Sequence, residues 1–347
     1  MPLSPLTIKK FRRFVAIRRG YYALVLLLAM ILASLGAELL VSNRALVVHY
    51  EGNWYFPTYG DMIPGRHFGL DYDFETNYRQ LAEKFRSQKA GNWVLLPPVP
   101  YNAFENDLRP DTLPPEPPSI ERRHFLGTDT SGRDVLARLV YGFRIAILFT
   151  LGLMVTTYAV GISVGCAMGY FGGWFDILMQ RIIEIWSTVP FLYVVIIISS
   201  ILVPNFWWLI TIMVVFGWMG MTWIIRTVTY KEKARDYVMA AKAMGASDLR
   251  IIFRHILPNA ISVIVTYIPF SISGGIVALT SLDYLGFGLP PPTPSWGELL
   301  QQAWANFSAW WLGFSVIAVM VITLVAVTFV GEAVREAFDP KMHTVYE

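Results

Sequence analysis

The sequence predicts an all-α polytopic membrane protein, with six spanning helices and a long insertion between the first and the second. Three observations carry this. Of 347 residues, 55% are apolar and only 15% are charged, against about a quarter charged in ordinary soluble domains. Six stretches are apolar enough, over the roughly 20 residues a helix needs, to cross a bilayer. The two densest clusters of lysine and arginine then fall on one side of the path so traced.

Residues 1–20 hold Lys9, Lys10, Arg12, Arg13, Arg18 and Arg19 and no acid, so this basic N-terminus is expected in the cytoplasm. The first span covers about 21–41. Its uncharged core, Gly20 to Ala37, is longer than most signal-peptide cores, so an uncleaved anchor is expected rather than a cleaved leader. Residues 42–140 then lie on the far, periplasmic side. Within them, 50–104 contain 13 aromatics, among them Trp54, Tyr55, Phe56 and Trp93. Disordered chains are poor in such residues, so a packed cap is expected, with a peptide-binding groove as the alternative. Eight prolines in 97–118 read as a stiff, extended connector.

The remaining spans fall in a core, 141–335, at about 145–170, 182–203, 206–229, 260–284 and 311–331. The third begins indistinctly because it contains Glu184 and Pro190. Only Val203, Pro204 and Asn205 join it to the fourth, which forces an antiparallel hairpin. Six crossings return the tail, 336–347, to the cytoplasm. The same count places 230–258 there. That segment and its flank carry Arg226, Lys231, Lys233, Arg235, Lys242, Arg250 and Arg254 against Glu232, Asp236 and Asp248.

The spans contain small residues and breakers but few charges. Gly161, Gly165 and Gly169 form a stripe on one helix face, the pattern that lets helices approach closely in lipid. It is expected to serve assembly with another membrane subunit. Pro190 and Pro269 predict kinks. With Gly274 and Gly275, beside Ser271 and Ser273, they are candidates for a moving pathway. Glu38, Glu184 and Asp283 lie toward span ends, so no intramembrane carboxylate relay is visible. No phosphate loop, zinc-protease helix or nucleophile elbow occurs. The five histidines are scattered. The one cysteine, Cys166, reads as a buried packing residue. The chain is therefore expected to be no enzyme, to hold no metal or cofactor, to have no nucleic-acid partner, and to borrow its energy source.

The stretch "DYVMAAKAMGASDLRIIFRHILPNA", 236–260, stands out among these apolar runs. "DYVMAAKAM" is a strong helix former. Gly245 suits a C-terminal cap, and Ser247 can begin a second helix. There Leu249, Ile252, Phe253 and Ile256 would share a face opposite Arg250 and Arg254, with Pro258 closing the helix. A pair of short helices resting on anionic headgroups would explain the arginines. It would not explain the small residues, which let a protein surface come close. Docking of a cytosolic partner explains both.

This stretch resembles the "EAA" loop of ABC importer permeases, with Ala240, Ala241, Gly245, Leu257 and Pro258 at the family's spacing and Met239 in place of its glutamate. "GTDTSGRD" (127–134) and "YLGFGLPPPTPSWGELL" (284–300) are similar to segments of the dipeptide and oligopeptide branch. The long insertion and the second of these segments look nearest to the Yej-type permeases. The resemblance implies the type I importer permease fold in a bacterial inner membrane. It implies peptides as substrate, including peptide–nucleotide antibiotics of the microcin C kind. Its implied partners are a second permease, ATPase subunits that bind the ATP, and a periplasmic substrate-binding protein. It makes 236–258 the ATPase-coupling loop, through Tyr237, Ala240, Ala241, Gly245, Ala246, Asp248, Leu257 and Pro258. Bulk at Ala241 is expected to push that loop off its docking surface. From the residues themselves, Gly127 and Gly132 permit tight turns and Asp129 and Asp134 can pair with Arg133 or Arg138. Trp296 is expected at the membrane interface or against the binding protein. The rival readings are an ion-gradient-driven transporter or channel, and a membrane scaffold.

Overall fold

The computed structural model describes residues 5–88, 91–110 and 112–338. Most of the tail assigned to 336–347 lies outside them. Apolar composition makes the long helices. They are α2 (Arg18–Leu35), α5 (Val135–Phe171), α8 (Phe206–Lys233), α10 (Asp248–Tyr284) and α12 (Trp310–Phe338). Only 22–33% of each apolar window is buried within the chain, so the rest of that surface needs lipid or another subunit.

The third expected span is not a straight helix. It is a pair, α6 (Gly173–Ser187) and α7 (Phe191–Ile201), bent by 68°. Pro190 sits at the break in extended conformation, as the N-cap of α7, because it cannot continue a helix and disfavours helix before it. Among the described residues, five helices are therefore long enough to span, or six if the bent pair counts as one span. Pro269, by contrast, lies inside α10 without ending it.

Polar caps set the helix starts. Asp134 accepts from Ala137 N at 2.7 Å and opens α5. Asn205 accepts from the amides of Trp207 and Trp208 at 3.1 and 3.0 Å, so the hairpin turn also starts α8. Ser295 does the same for a short helix, α11 (Trp296–Ala305).

The core is built on α5, which packs along α8 and also meets α10. α12 packs on α2 and α10. One buried cluster joins Phe149, Val195, Leu209 and Leu282 of α5, α7, α8 and α10. A second joins Leu139, Phe143, Trp296 and Leu312 of α5, α11 and α12. A helix that precedes α2, α1 (Pro5–Ala16), lays Phe14 against Ala333 and Ala337, and a single turn, α3 (Ala37–Leu40), follows α2.

The insertion adds a small sheet to this mostly helical fold. It holds a three-stranded antiparallel sheet in the order β2 (Asn53–Tyr55), β1 (Val47–Tyr50), β3 (Trp93–Leu95), with Val48 facing Tyr55 and Val94. Valine and aromatic residues favour such strands. A helix, α4 (Tyr78–Gln88), covers the sheet, and Phe68, Tyr78, Leu81 and Phe85 fill the space between. Phe68, Tyr78 and Phe85 thus form a packed core, whereas Trp54, Phe56 and Trp93 stay exposed.

Candidate functional site

The stretch 236–260 folds as α9 (Asp236–Ala243), a turn, and the start of α10. Gly245 adopts φ +82, the left-handed conformation that favours glycine. The amide of Ala246 donates to the Ala241 carbonyl at 3.1 Å, and that of Gly245 to Lys242 at 3.0 Å. This pair of bonds is the Schellman cap. Ser247 occupies the next N-cap position, but its side chain makes no capping bond.

Pro258 does not close the second helix. α10 runs through it into the span, by way of a π-turn at Ile252–Ile256. There Leu257 N–H reaches back five residues to the Ile252 carbonyl. The wider turn accommodates a proline that has no N–H of its own to bond. The face expected to be shared is divided here. Ile251, Ile252 and Ile256 are buried with Val238, Tyr170 and Ile225, while Leu249 and Phe253 face outward.

Of the two alanines, Ala240 is exposed and Ala241 is only 3% exposed. Ala241 therefore faces the chain's own interior, not a docking surface. What projects outward is an apolar rim: Met239 54%, Met244 82%, Leu249 66% and Phe253 65% exposed. Polar contacts hold this element to the bundle. Tyr170 Oη donates to Asp248 Oδ1 at 2.6 Å, which joins the start of α10 to the end of α5. Tyr237 Oη donates to Glu232 at 2.5 Å and accepts from Asn259 Nδ2 at 2.9 Å.

The glycine stripe packs within the chain, against α8. A Cβ on Gly161 would lie 2.7 Å from the Trp218 carbonyl oxygen. On Gly169 it would lie 2.7 Å from that of Arg226. The stripe is thus filled by α8 and offers no face to a second subunit.

Between α5, α8 and α10 lies a mostly apolar cavity of about 380 Å³, lined by Tyr158, Met213, Gly217, Ser271 and Gly274 among others. Tyr158 Oη and Ser271 Oγ share a hydrogen bond at 2.7 Å on its wall. Gly275 also presses on α5, where a Cβ would meet Thr150 Cγ2 at 2.6 Å.

At the opposite end of α5 the "GTDTSGRD" segment is a clasp. Asp129 accepts from Arg133 Nε at 2.7 Å and lies 3.5 Å from Arg138 Nε. Glu298 of α11 accepts from Arg133 at 2.7 Å and from Arg138 as well. Two cations and two anions thus balance in a site that is almost dry. Asp134 pairs with neither arginine; it meets His124. His124 Nδ1 lies 2.7 Å from Asp134 and Nε2 3.2 Å from Asp107. Both ring nitrogens must carry hydrogen to serve two carboxylates, which selects the imidazolium. Burial alone would push this imidazole down. The bonds and charges of Asp107 and Asp134 outweigh it and hold His124 above the usual histidine value. The His124 bond, with help from Arg109, holds Asp107 at about 2 despite burial.

Trp296 is buried, with its indole N–H bonded to the Leu139 carbonyl at 3.1 Å. It is neither an interface anchor nor a docking residue. Asp283 staples the same loop, accepting from Leu289 N at 2.7 Å and Ser295 Oγ at 2.5 Å. Glu298, His124 and the Tyr170–Asp248 bond escaped the sequence reading. The dense "TDTSGRD" charges hinted at the clasp, but partners some 160 residues apart leave no local signal.

The sequence profile of the binding-protein-dependent transport system inner membrane component family matches residues 161–344. The chain belongs to this family. It is 42% identical to the inner membrane ABC transporter permease protein YejE of Escherichia coli K12, over 97% of this chain and 98% of that one. It is 39% identical to the peptidoglycan transport system permease protein YejE of Agrobacterium fabrum, over 97% and 94%. The oligopeptide transport system permease protein OppC of Haemophilus influenzae is 34% identical over 65% of this chain and 72% of its own. This family member is accordingly a multi-pass inner-membrane transport protein of the ABC permease class. The ion-driven reading finds no support among these relatives.

Proposed function

We propose that this chain is one of two membrane subunits through which an ATP-driven importer passes peptides, including peptide–nucleotide conjugates of the microcin C kind. The observation that carries this is the apolar rim of Met239, Met244, Leu249 and Phe253 on a rigidly capped element. Exposed apolar side chains on a polar loop mark a protein contact. The partner at this rim is the ATPase, and 236–258 is the coupling loop. The chain itself catalyses nothing; ATP is hydrolysed on the partner subunits. A second permease covers much of the unburied apolar surface, and a substrate-binding protein delivers peptide from the periplasm. Peptide as substrate is supported by the names of the relatives.

Positive charge orients the fold. Residues 1–20 and 230–258 lie in the cytoplasm, as does the tail. Residues 42–140 form the periplasmic insertion, and 141–335 the permease core. The experiment is labelled-peptide uptake into proteoliposomes holding the assembled transporter. Uptake that needs ATP and binding protein is expected. Uptake driven by an ion gradient without ATP would overturn the reading.

A further inference from the structure

A second recess lies away from the bundle, in the insertion. Its volume is about 490 Å³, and α4 and the loop 119–124 form its walls. Three arginines on its lining are already engaged: Arg79 with Glu105, Arg109 with Asp107 and Arg122 with Glu116. The side chains of two others, Arg86 and Arg123, have no ion pair or hydrogen bond among the described residues. The same holds for the two lining carboxylates, Glu83 and Glu121. Arg123 is held at φ +59, a left-handed backbone uncommon outside glycine, so its side chain is presented from a constrained turn.

Charge decides what such a recess takes. Five arginines line it, and five carboxylates, three paired and two free, stand against them. The sum is zero, so no net positive field draws in a simple anion. Two guanidinium groups and two carboxylates on these walls, open to solvent, are left without a partner side chain. That set matches a ligand with a carboxylate at one end and an ammonium at the other. Guanidinium pairs with carboxylate through parallel N–H bonds, and carboxylate accepts from ammonium.

We infer that this recess binds the zwitterionic termini of a short peptide, with Arg86 and Arg123 on the carboxylate and Glu83 and Glu121 on the ammonium. It is a holding site on the insertion, separate from the cavity between the spans. The inference rests on the peptide reading above.

The test measures binding of trialanine to the full-length chain in nanodiscs by calorimetry, beside its N-acetylated and C-amidated forms. Each cap should weaken binding about tenfold or more, the effect of losing one charge-assisted contact. Arg86→Ala with Arg123→Ala should weaken trialanine and abolish the penalty for amidation. Glu83→Gln with Glu121→Gln should abolish the penalty for acetylation. These side chains anchor nothing in the fold, so the variants should fold normally. Equal affinity for free and capped peptides would overturn the inference, as would unchanged affinity in the arginine pair. ATP-driven uptake by the assembled transporter, measured in parallel, separates the two readings. Uptake without recess binding leaves the peptide reading standing and sinks this one.

Discussion

Replacing Gly165 by alanine adds a single methyl group at the close seam between α5 and α8. That methyl would stand 2.7 Å from the Thr222 carbonyl oxygen, 3.0 Å from Ile225 Cβ and 3.1 Å from Arg226 N. Ordinary contact begins near 3.4 Å, so α8 must withdraw by about 0.7 Å. Two of the three atoms are backbone, and no rotamer change relieves them. Because Gly161 and Gly169 touch the same helix, the withdrawal loosens all three contacts at once. Overpacking of this kind costs about 1–3 kcal/mol. Alanine's better helix propensity returns up to about 1 kcal/mol. The net effect is a loss of roughly 1–2 kcal/mol, and Gly165→Leu should cost more. At Gly220, on the facing helix, an added methyl would meet nothing within 4 Å, so Gly220→Ala should be neutral or stabilising. Buried Cys166 lies beside the stripe and is the chain's one thiol, so a fluorogenic thiol dye reports opening during a thermal ramp. The Gly165→Ala midpoint should fall below wild type while Gly220→Ala does not. A Gly165→Ala midpoint at or above wild type would mean that the stripe is not clamped by α8.

Other expectations follow from the clasp and the topology. Glu298→Ala leaves the Arg133–Arg138 pair with one counterion, and should cost about 3–5 kcal/mol, read in the same dye assay; a loss under about 1 kcal/mol contradicts the dry network. The folded pKa of His124 is raised above 6.5, so its stabilisation is complete below that pH and disappears as pH rises through the folded value. Proteolysis of the insertion should therefore quicken toward alkaline pH in wild type and lose that dependence in His124→Gln; identical pH profiles would refute the imidazolium bridge. In a Cys166→Ser background, an impermeant thiol reagent on intact spheroplasts should label Ser87→Cys and spare Ser247→Cys. The reverse pattern would invert the topology.

The spans were legible because apolar length is a local property, and the Gly245 cap because one residue type answers one backbone demand. The bend at Thr188–Pro190 was only half legible. Proline announces a break, but its 68° angle depends on packing around α7. Pro258 misled for a related reason. A proline normally ends a helix, but the π-turn before it lets α10 continue. Leu249 and Phe253, expected to share a face with Ile252 and Ile256, stand at the rim while the two isoleucines are buried. The stripe's partner, the burial of Trp296 and the clasp all depend on contacts between distant segments. Composition located the insertion's aromatics without revealing the strands they build.

The rim carries the central claim, and one comparison tests it most directly. Leu249→Glu and Phe253→Glu place a charge on side chains that touch nothing essential in this chain. Burying each against a partner is worth about 1.5–3 kcal/mol, so either charge should weaken ATPase association roughly tenfold or more. Peptide uptake and ATPase co-purification, measured together with Arg250→Ala plus Arg254→Ala, separate docking from lipid attachment. The account predicts that the glutamate variants insert normally, lose the ATPase and stop transporting, while the arginine variants transport. Full transport in both glutamate variants, with loss in the arginine pair, would show that this element rests on lipid headgroups and does not grip an ATPase.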